Sequence, residues 1–146
     1  MNLVDLVQKA ARHGVDSIES ALGPLIPFTF VLDANPDQAR RQLMLTRHAL
    51  EDLAECLQAA QASIRPDPNS SMYAIAWDGY VTVEGRKWDA VLIEAGESGN
   101  AEAVIYAQRY ELKEKGFFNK RRCNVAVGAP IATQPAPSRL WSGNNP

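Results

Sequence analysis

Two Trp-Asp pairs, Trp77-Asp78 and Trp88-Asp89, are the residues whose type and spacing could support acid-base chemistry. Residue types alternate on both sides of Gly85, which is typical of a β-hairpin. A two-residue turn there would place both tryptophans on one face of the hairpin and both aspartates on the other. Carboxylates on neighbouring rungs of one face have Cβ atoms roughly 5 to 8 Å apart, a spacing at which two of them can share acid-base work.

The interpretation depends on the register of this hairpin, which the sequence alone does not fix, because a turn one residue later would shift the strand partners. A turn at Glu84-Gly85 pairs Asp78 with Val91 and Asp89 with Tyr80. The odd-numbered positions of the first strand are the more apolar set, which predicts that they face the core. We therefore expect both aspartates to face water, and expect no shift of the Asp78 pKa, so that two exposed carboxylates are favoured over a catalytic pair.

Other catalytic, metal-binding and cofactor signals are weak. The chain contains no motif of a phosphate-binding loop, a dinucleotide fold, a zinc protease or a serine hydrolase. Its histidines, His13 and His48, lie in different predicted helices, and Asp52 is the one ligand type at helical spacing from His48. Cys56 and Cys123 are far apart and predict two reduced, packed thiols. We predict no catalytic residue, no metal site and no cofactor, and consider an enzyme the less favoured class.

Charge is distributed unevenly along the second half of the chain. The segment 78–102 contains six acidic and two basic residues, whereas 109–122 contains six basic and two acidic ones. Phe117 and Phe118 interrupt the basic cluster Lys113–Arg122, a combination that is typical of single-stranded nucleic-acid binding. Adjacent strands of complementary charge would explain the same pattern. The net charge of −2 counts against phosphate binding, so we favour a protein partner over nucleic acid.

Hydrophobic periodicity predicts an α+β fold. Apolar residues recur at helical spacing from Leu3 to Leu22 and again from Leu43 to Ile64, with a strand between them at 26–32. Pro66 and Pro68 end the second, long helix. From Met72 the period changes to two, which predicts four strands at about 72–84, 88–95, 103–112 and 122–127. Short turns between them imply an antiparallel meander, with the helices packed on one face of the sheet.

The predicted organisation is a single α+β domain at residues 1–129 followed by a Pro-rich C-terminal tail at 130–146. Docking of that tail through Trp141 and a free tail both fit the sequence. Polar residues interrupt the N-terminal apolar stretch, and nowhere do eighteen apolar residues occur together. This pattern predicts a cytoplasmic protein without a membrane span.

The leading functional hypothesis is a small cytoplasmic interaction or accessory protein that self-associates or binds a protein partner. It would use the second face of the sheet or the Phe117-Phe118 loop, because the aromatic side chains exceed what one small core needs. The alternative is a small-ligand-binding protein or enzyme with a pocket between sheet and helices, and a nucleic-acid binder using Lys113–Arg122 comes third. The candidate surface residues are Asp78, Asp89, Tyr106, Arg109, Phe117, Phe118, Arg121 and Arg122, with Glu94 as a further polar group for a pocket.

Overall fold

The described residues form two helices and six strands. The computed structural model describes residues 1–20, 25–33, 43–47, 52–115 and 121–143, and for 19, 20, 43–45, 47, 114, 115 and 121–123 it describes the backbone alone. The elements in chain order are α1 (Leu3–Ser20), β1 (Phe28–Asp33), β2 (Leu43–Arg47), α2 (Leu53–Ser63), β3 (Ser70–Val83), β4 (Arg86–Glu97), β5 (Glu102–Lys115) and β6 (Arg121–Pro137). No described helix is long and apolar enough to cross a membrane.

The six strands form one antiparallel sheet in the order β2-β1-β3-β4-β5-β6. Since β3 to β6 are neighbours in sequence and in space, the predicted α+β class and meander are confirmed. The β3–β4 register pairs Asp78 with Val91 and Tyr80 with Asp89, as the turn at Glu84-Gly85 predicts. Both turn residues have positive φ, 50° and 78°. A type I′ turn needs that conformation at both central positions, and glycine adopts it without strain.

The predicted long helix from Leu43 to Ile64 is divided in the structure. Leu43–Arg47 is a strand, β2, which pairs with the outer edge of β1. The helix begins only after Asp52, whose carboxylate accepts a hydrogen bond from the Ala54 amide at 2.9 Å. The helical prediction was wrong for 43–47 because a five-residue apolar run fits either period, and pairing with β1 satisfies backbone groups that would otherwise be open. His48 lies outside the described residues.

The two helices pack on opposite faces of the sheet, where the sequence predicted one face. Helix α1 covers the even-numbered positions of β3, including Ala74 and Ala76, whereas α2 covers Tyr73 and Ile75. All four of these side chains are 0% exposed. Both alternating sets of β3 are therefore core, and a strand that is buried on both sides gives no sequence signal for which helix lies where.

Helix α1 lies unusually close to the sheet. At its start Asn2 and Asp5 cap each other's backbone amides, at 3.0 and 2.8 Å. At Gly14 an added Cβ would come within 2.8 Å of Val91 Cγ1, so this position leaves no room for a side chain. Ala10, also fully buried, continues the small-residue surface. Small residues on α1 face the alanines of β3, which is how an 18-residue helix packs flat on the strands.

Residues 130–137 continue β6 and do not begin a separate tail, so the predicted boundary at 129 does not match the sheet. Pairing with β5 extends to Glu102↔Pro137. The register shifts near Gly128, where the Gln108 side-chain amide donates to the carbonyls of Val127 (3.3 Å) and Gly128 (3.0 Å). The prolines concealed this strand because proline is accepted on an edge strand, where an amide can remain unpaired.

A turn at 138–141 then docks on the α2 side of the sheet. The Arg139 guanidinium donates to Glu94, with Nε to Oε2 at 2.7 Å and Nη2 to Oε1 at 3.3 Å. The Tyr73 hydroxyl donates to the same Oε2 at 2.8 Å and accepts the Arg139 backbone N–H at 3.2 Å. Leu140 is buried beside Ile64 in the α2-side core. We call Tyr73, Glu94 and Arg139 the C-terminal clasp.

Arg139→Ala should destabilise the fold by about 2 kcal/mol, because the Glu94 side chain is only 5% exposed and would lose its charged partner. The Arg139 side chain is itself 32% exposed, which places the cost below that of a fully buried pair. Urea unfolding followed by circular dichroism measures it. Arg12→Ala, at an exposed arginine of α1, is the control and should cost less than about 0.5 kcal/mol. Equal midpoints for the two variants would show that the clasp contributes nothing to stability.

Candidate interaction surface

The two aspartates lie on the same face of the sheet as α1. Asp78 is half-buried, and its Oδ1 accepts a hydrogen bond from the Tyr110 hydroxyl at 2.8 Å. Burial raises the pKa of Asp78, the hydrogen bond from Tyr110 opposes the rise, and the negative charge of Asp89 adds to it. Asp89 is exposed, as predicted. The expectation for Asp78 was wrong because this face carries the larger core, and Asp78 sits at its margin beside Tyr110.

This carboxylate and phenol form a structural hydrogen bond and not a reactive pair. Burial, then the hydrogen bond to Asp78, raises the pKa of Tyr110, so the phenol keeps its proton and acts as a donor. An acid-base pair also needs a cavity that holds a substrate against it. Three grooves that the described residues form are lined by neither aspartate and not by Tyr106 or Arg109.

Those grooves lie elsewhere. One of about 440 Å³ lies between the end of α2, β1 and Leu140, with Val31 and Ile64 among its apolar lining and the Ser63 and Ser70 hydroxyls nearby. A second of about 430 Å³ follows the exposed side of α1, and a third of about 510 Å³ separates α1 from β6. The first is the most apolar, and its position matches the alternative of a pocket between sheet and helix.

The remaining candidate residues are divided between regions. Tyr106 packs against the α1-side core, whereas Arg109 lies on the opposite face of β5. Arg121 and Arg122 lie at the start of β6 and pair with Lys115 and Glu114, respectively. The structure describes only the backbone of these two arginines. Phe117 and Phe118 lie outside the described residues. The candidate set therefore does not converge on one site, and the polar group Glu94 belongs to the clasp.

Part of the α2-side face is left uncovered by the described residues. Helix α2 packs on β1 and β3, and the turn at 138–141 covers the sheet near Glu94. Beyond them, large side chains on β3 to β6 are only partly buried. We call this surface the open face: Trp77, Arg86, Trp88, Leu92, Ile105, Arg109 and Ile131. Ala90 and Ala107, between these side chains, are fully buried.

Arginine side chains lie against the Trp88 indole. The Arg86 Cζ is 3.6 Å from the ring centroid and the Arg109 Cζ is 5.1 Å from it, distances typical of cation–π contacts. Glu111 forms ion pairs with Arg86, 3.9 Å from its Nη2, and with Lys113, 3.4 Å from its Nζ. Among the described residues these two cations therefore share one carboxylate.

Sequence reasoning identified part of this surface. The period of two placed Trp77 and Trp88 on one face, and Arg109 was a candidate. Arg86 and Leu92 were missed, although their strand positions are alternate with Trp88 along β4 and could have been assigned to its face. What the sequence did not reveal is that α2 is too short to cover them.

Comparison of the chain with protein-family models, curated proteins and solved structures found no match in any of the three. Within the described residues, no group of three or more His, Cys, Asp or Glu side chains could hold a metal ion.

Removing the Tyr110 hydroxyl should change the pKa of Asp78. Because the hydrogen bond favours the carboxylate, Tyr110→Phe should raise the pKa of Asp78 further, whereas Asp89→Asn should lower it by removing a like charge. Carboxyl ¹³C NMR across a pH series measures both. Because the pKa of Asp78 is higher in the folded state than in the unfolded state, the contribution of Asp78 to the free energy of unfolding is fully present below the unfolded-state pKa. That contribution is lost as the pH rises through the folded-state pKa. Asp78→Asn should abolish that loss; an unchanged slope would contradict it.

Proposed function

We propose that this protein is a small protein-interaction module that binds its partner through the open face. The observation that supports this is the partly exposed array of Trp77, Trp88, Leu92 and Arg109 on a sheet that α1 already covers on its other side. Tryptophan and arginine are the residue types that most often dominate the energy of protein interfaces. We further propose that this protein acts as an accessory protein in the cytoplasm.

The open face suits binding because its side chains are held in place before a partner arrives. They project from four paired strands, so little backbone freedom is lost on association. Leu92 lies over Gly79, where an added Cβ would come within 2.7 Å of Leu92 Cδ1. The Arg86 guanidinium is likewise held in place, by its contact with the Trp88 ring. A preorganised apolar surface with cations at its margin provides both contact area and orientation.

A small apolar ligand in the groove beside α2 is the second candidate. Its volume, about 440 Å³, is within the range of roughly 300 to 1,000 Å³ that is usual for ligand pockets. Val31, Ile64 and Leu140 would contact such a ligand. It ranks second because the candidate polar residues of this chain do not line the groove.

A matched pair of photo-crosslinking variants tests the proposed function. Trp88 and Tyr80 are aromatic residues on opposite faces of one hairpin, each with a cation on its ring, Arg86 at 3.6 Å and Lys87 at 4.0 Å. Each is replaced in turn by p-benzoylphenylalanine, and the full chain is irradiated in cell extract. We expect discrete adducts from position 88 and few from position 80. Tyr80 is 61% exposed, so random collision would favour position 80 instead.

The captured protein, or a second copy of this chain, is then purified and titrated by calorimetry. Trp88→Ala should weaken binding by about thirtyfold, the effect of losing an interface anchor, whereas Tyr80→Ala should leave it unchanged. Circular dichroism confirms that both variants fold. Equal adducts from both positions, or equal affinity of both alanine variants, would reject the open face as the binding surface.

A further inference from the structure

Arg109 carries hydrogen-bonding capacity that the described residues of this chain do not use. Its Nε is buried and has no acceptor among the described residues. Its Nη2 lies 3.0 Å from where a Cβ would stand on Gly128, so the absence of a side chain there makes room for the guanidinium. No ion pair with Arg109 occurs within the described part of the chain. Its contact with Trp88 is a cation–π contact with the indole ring and provides no hydrogen-bond acceptor. Unsatisfied buried donors are rare in folded proteins and call for an explanation.

The charge around Arg109 points to an anionic occupant. Arg86 and Lys113 share the carboxylate of Glu111, with the Arg86 contact long at 3.9 Å, and Arg109 beside them has no ion pair among the described residues. A planar carboxylate matches a guanidinium through two parallel hydrogen bonds. Next to this patch lie apolar residues, Leu92 and Ile105 among them. The surface therefore fits a segment that carries both carboxylates and apolar side chains.

A protein segment fits these observations better than a nucleic acid does. Arg86 already lies at 3.6 Å from the Trp88 centroid, on a ring face that a base would need for stacking. A phosphate backbone also requires cations along its whole track, whereas this patch gives way to Leu92 and Ile105. The chain's net charge of −2 provides no general attraction for polyanions.

We propose that the open face recognises an acidic segment of the partner protein and binds one of its Asp or Glu carboxylates at Arg109, beside Arg86 and Trp88. This inference rests on the proposed function and specifies the partner's chemistry. The carboxylate accepts hydrogen bonds from the terminal Nη groups of Arg109, and the apolar side chains that flank it pack on Leu92 and Ile105. Electrostatic attraction of this kind weakens with added salt.

Peptides of defined composition test the inference. A fluorescein-labelled octapeptide of alternating Glu and Leu is compared, by fluorescence anisotropy, with the same octapeptide carrying Gln at every Glu position. We expect the Glu peptide to bind at least about tenfold more tightly, with an affinity that falls as sodium chloride is raised. In ¹⁵N NMR, the buried Nε–H of Arg109 should shift when the Glu peptide is added, while the Nε–H of the exposed Arg12 should not.

Two charge-matched variants provide the control. Arg109→Gln should remove the preference for the Glu peptide, whereas Arg12→Gln, an equal loss of charge on α1, should retain it. Arg109→Lys should recover only part of the preference, since an ammonium keeps the charge but lacks the planar fork.

Each result decides between the alternatives. Equal binding of the Glu and Gln peptides would overturn carboxylate recognition, and so would preferential binding of single-stranded oligothymidylate, which would indicate a nucleic-acid surface. If neither peptide binds while crosslinking from position 88 persists, the acidic segment is rejected and the interaction module stands. If crosslinking from position 88 is also absent, both the interaction module and its recognition of an acidic segment are rejected.

Discussion

Burial of β3 on both faces is the constraint on which the rest of the structure depends. Tyr73 and Ile75 on one side, and Ala74 and Ala76 on the other, are fully excluded from water. A strand of this kind requires cover on both sides, and the chain provides it unequally. Helix α1, with 18 residues, lies across β3 to β6, whereas the 11 residues of α2 pack mainly on β1 and β3. The open face lies where the described part of the chain provides no second cover.

The C-terminal clasp defines one border of that face. Its turn buries Leu140 in the α2-side core and places a guanidinium on Glu94, a carboxylate that would otherwise be costly to bury in the sheet. The Tyr73 hydroxyl, which donates to Glu94 and accepts from the Arg139 backbone, joins the turn to the central strand. The last described residues of the chain thus complete the core and do not extend from it.

The two faces of the distal meander differ in chemistry because strand side chains alternate. Asp78, Asp89 and Tyr80 lie on the α1 side, and Arg86, Trp88 and Arg109 on the other. The β3–β4 hairpin therefore places Asp78 and Asp89 on one face and Arg86 on the other. The charge alternation along the sequence, acidic and then basic, becomes in part an alternation between faces, while Glu94 and Glu111 lie on the same face as Arg109.

The sequence by itself determined the α+β class and the meander, because local periodicity specifies them. It favoured, without fixing it, the β3–β4 register of a turn at Glu84-Gly85, which places the two tryptophans on a common face. The sequence did not distinguish β2 from a helix, since a five-residue apolar run fits both. It also gave no strand signal for residues 130–137, because this segment contains prolines, which an edge strand tolerates. Only the tertiary structure decided which face each helix covers and how far. That depends on contacts between segments distant in sequence, such as Gly14 with Val91 and Arg139 with Glu94, to which no local pattern responds.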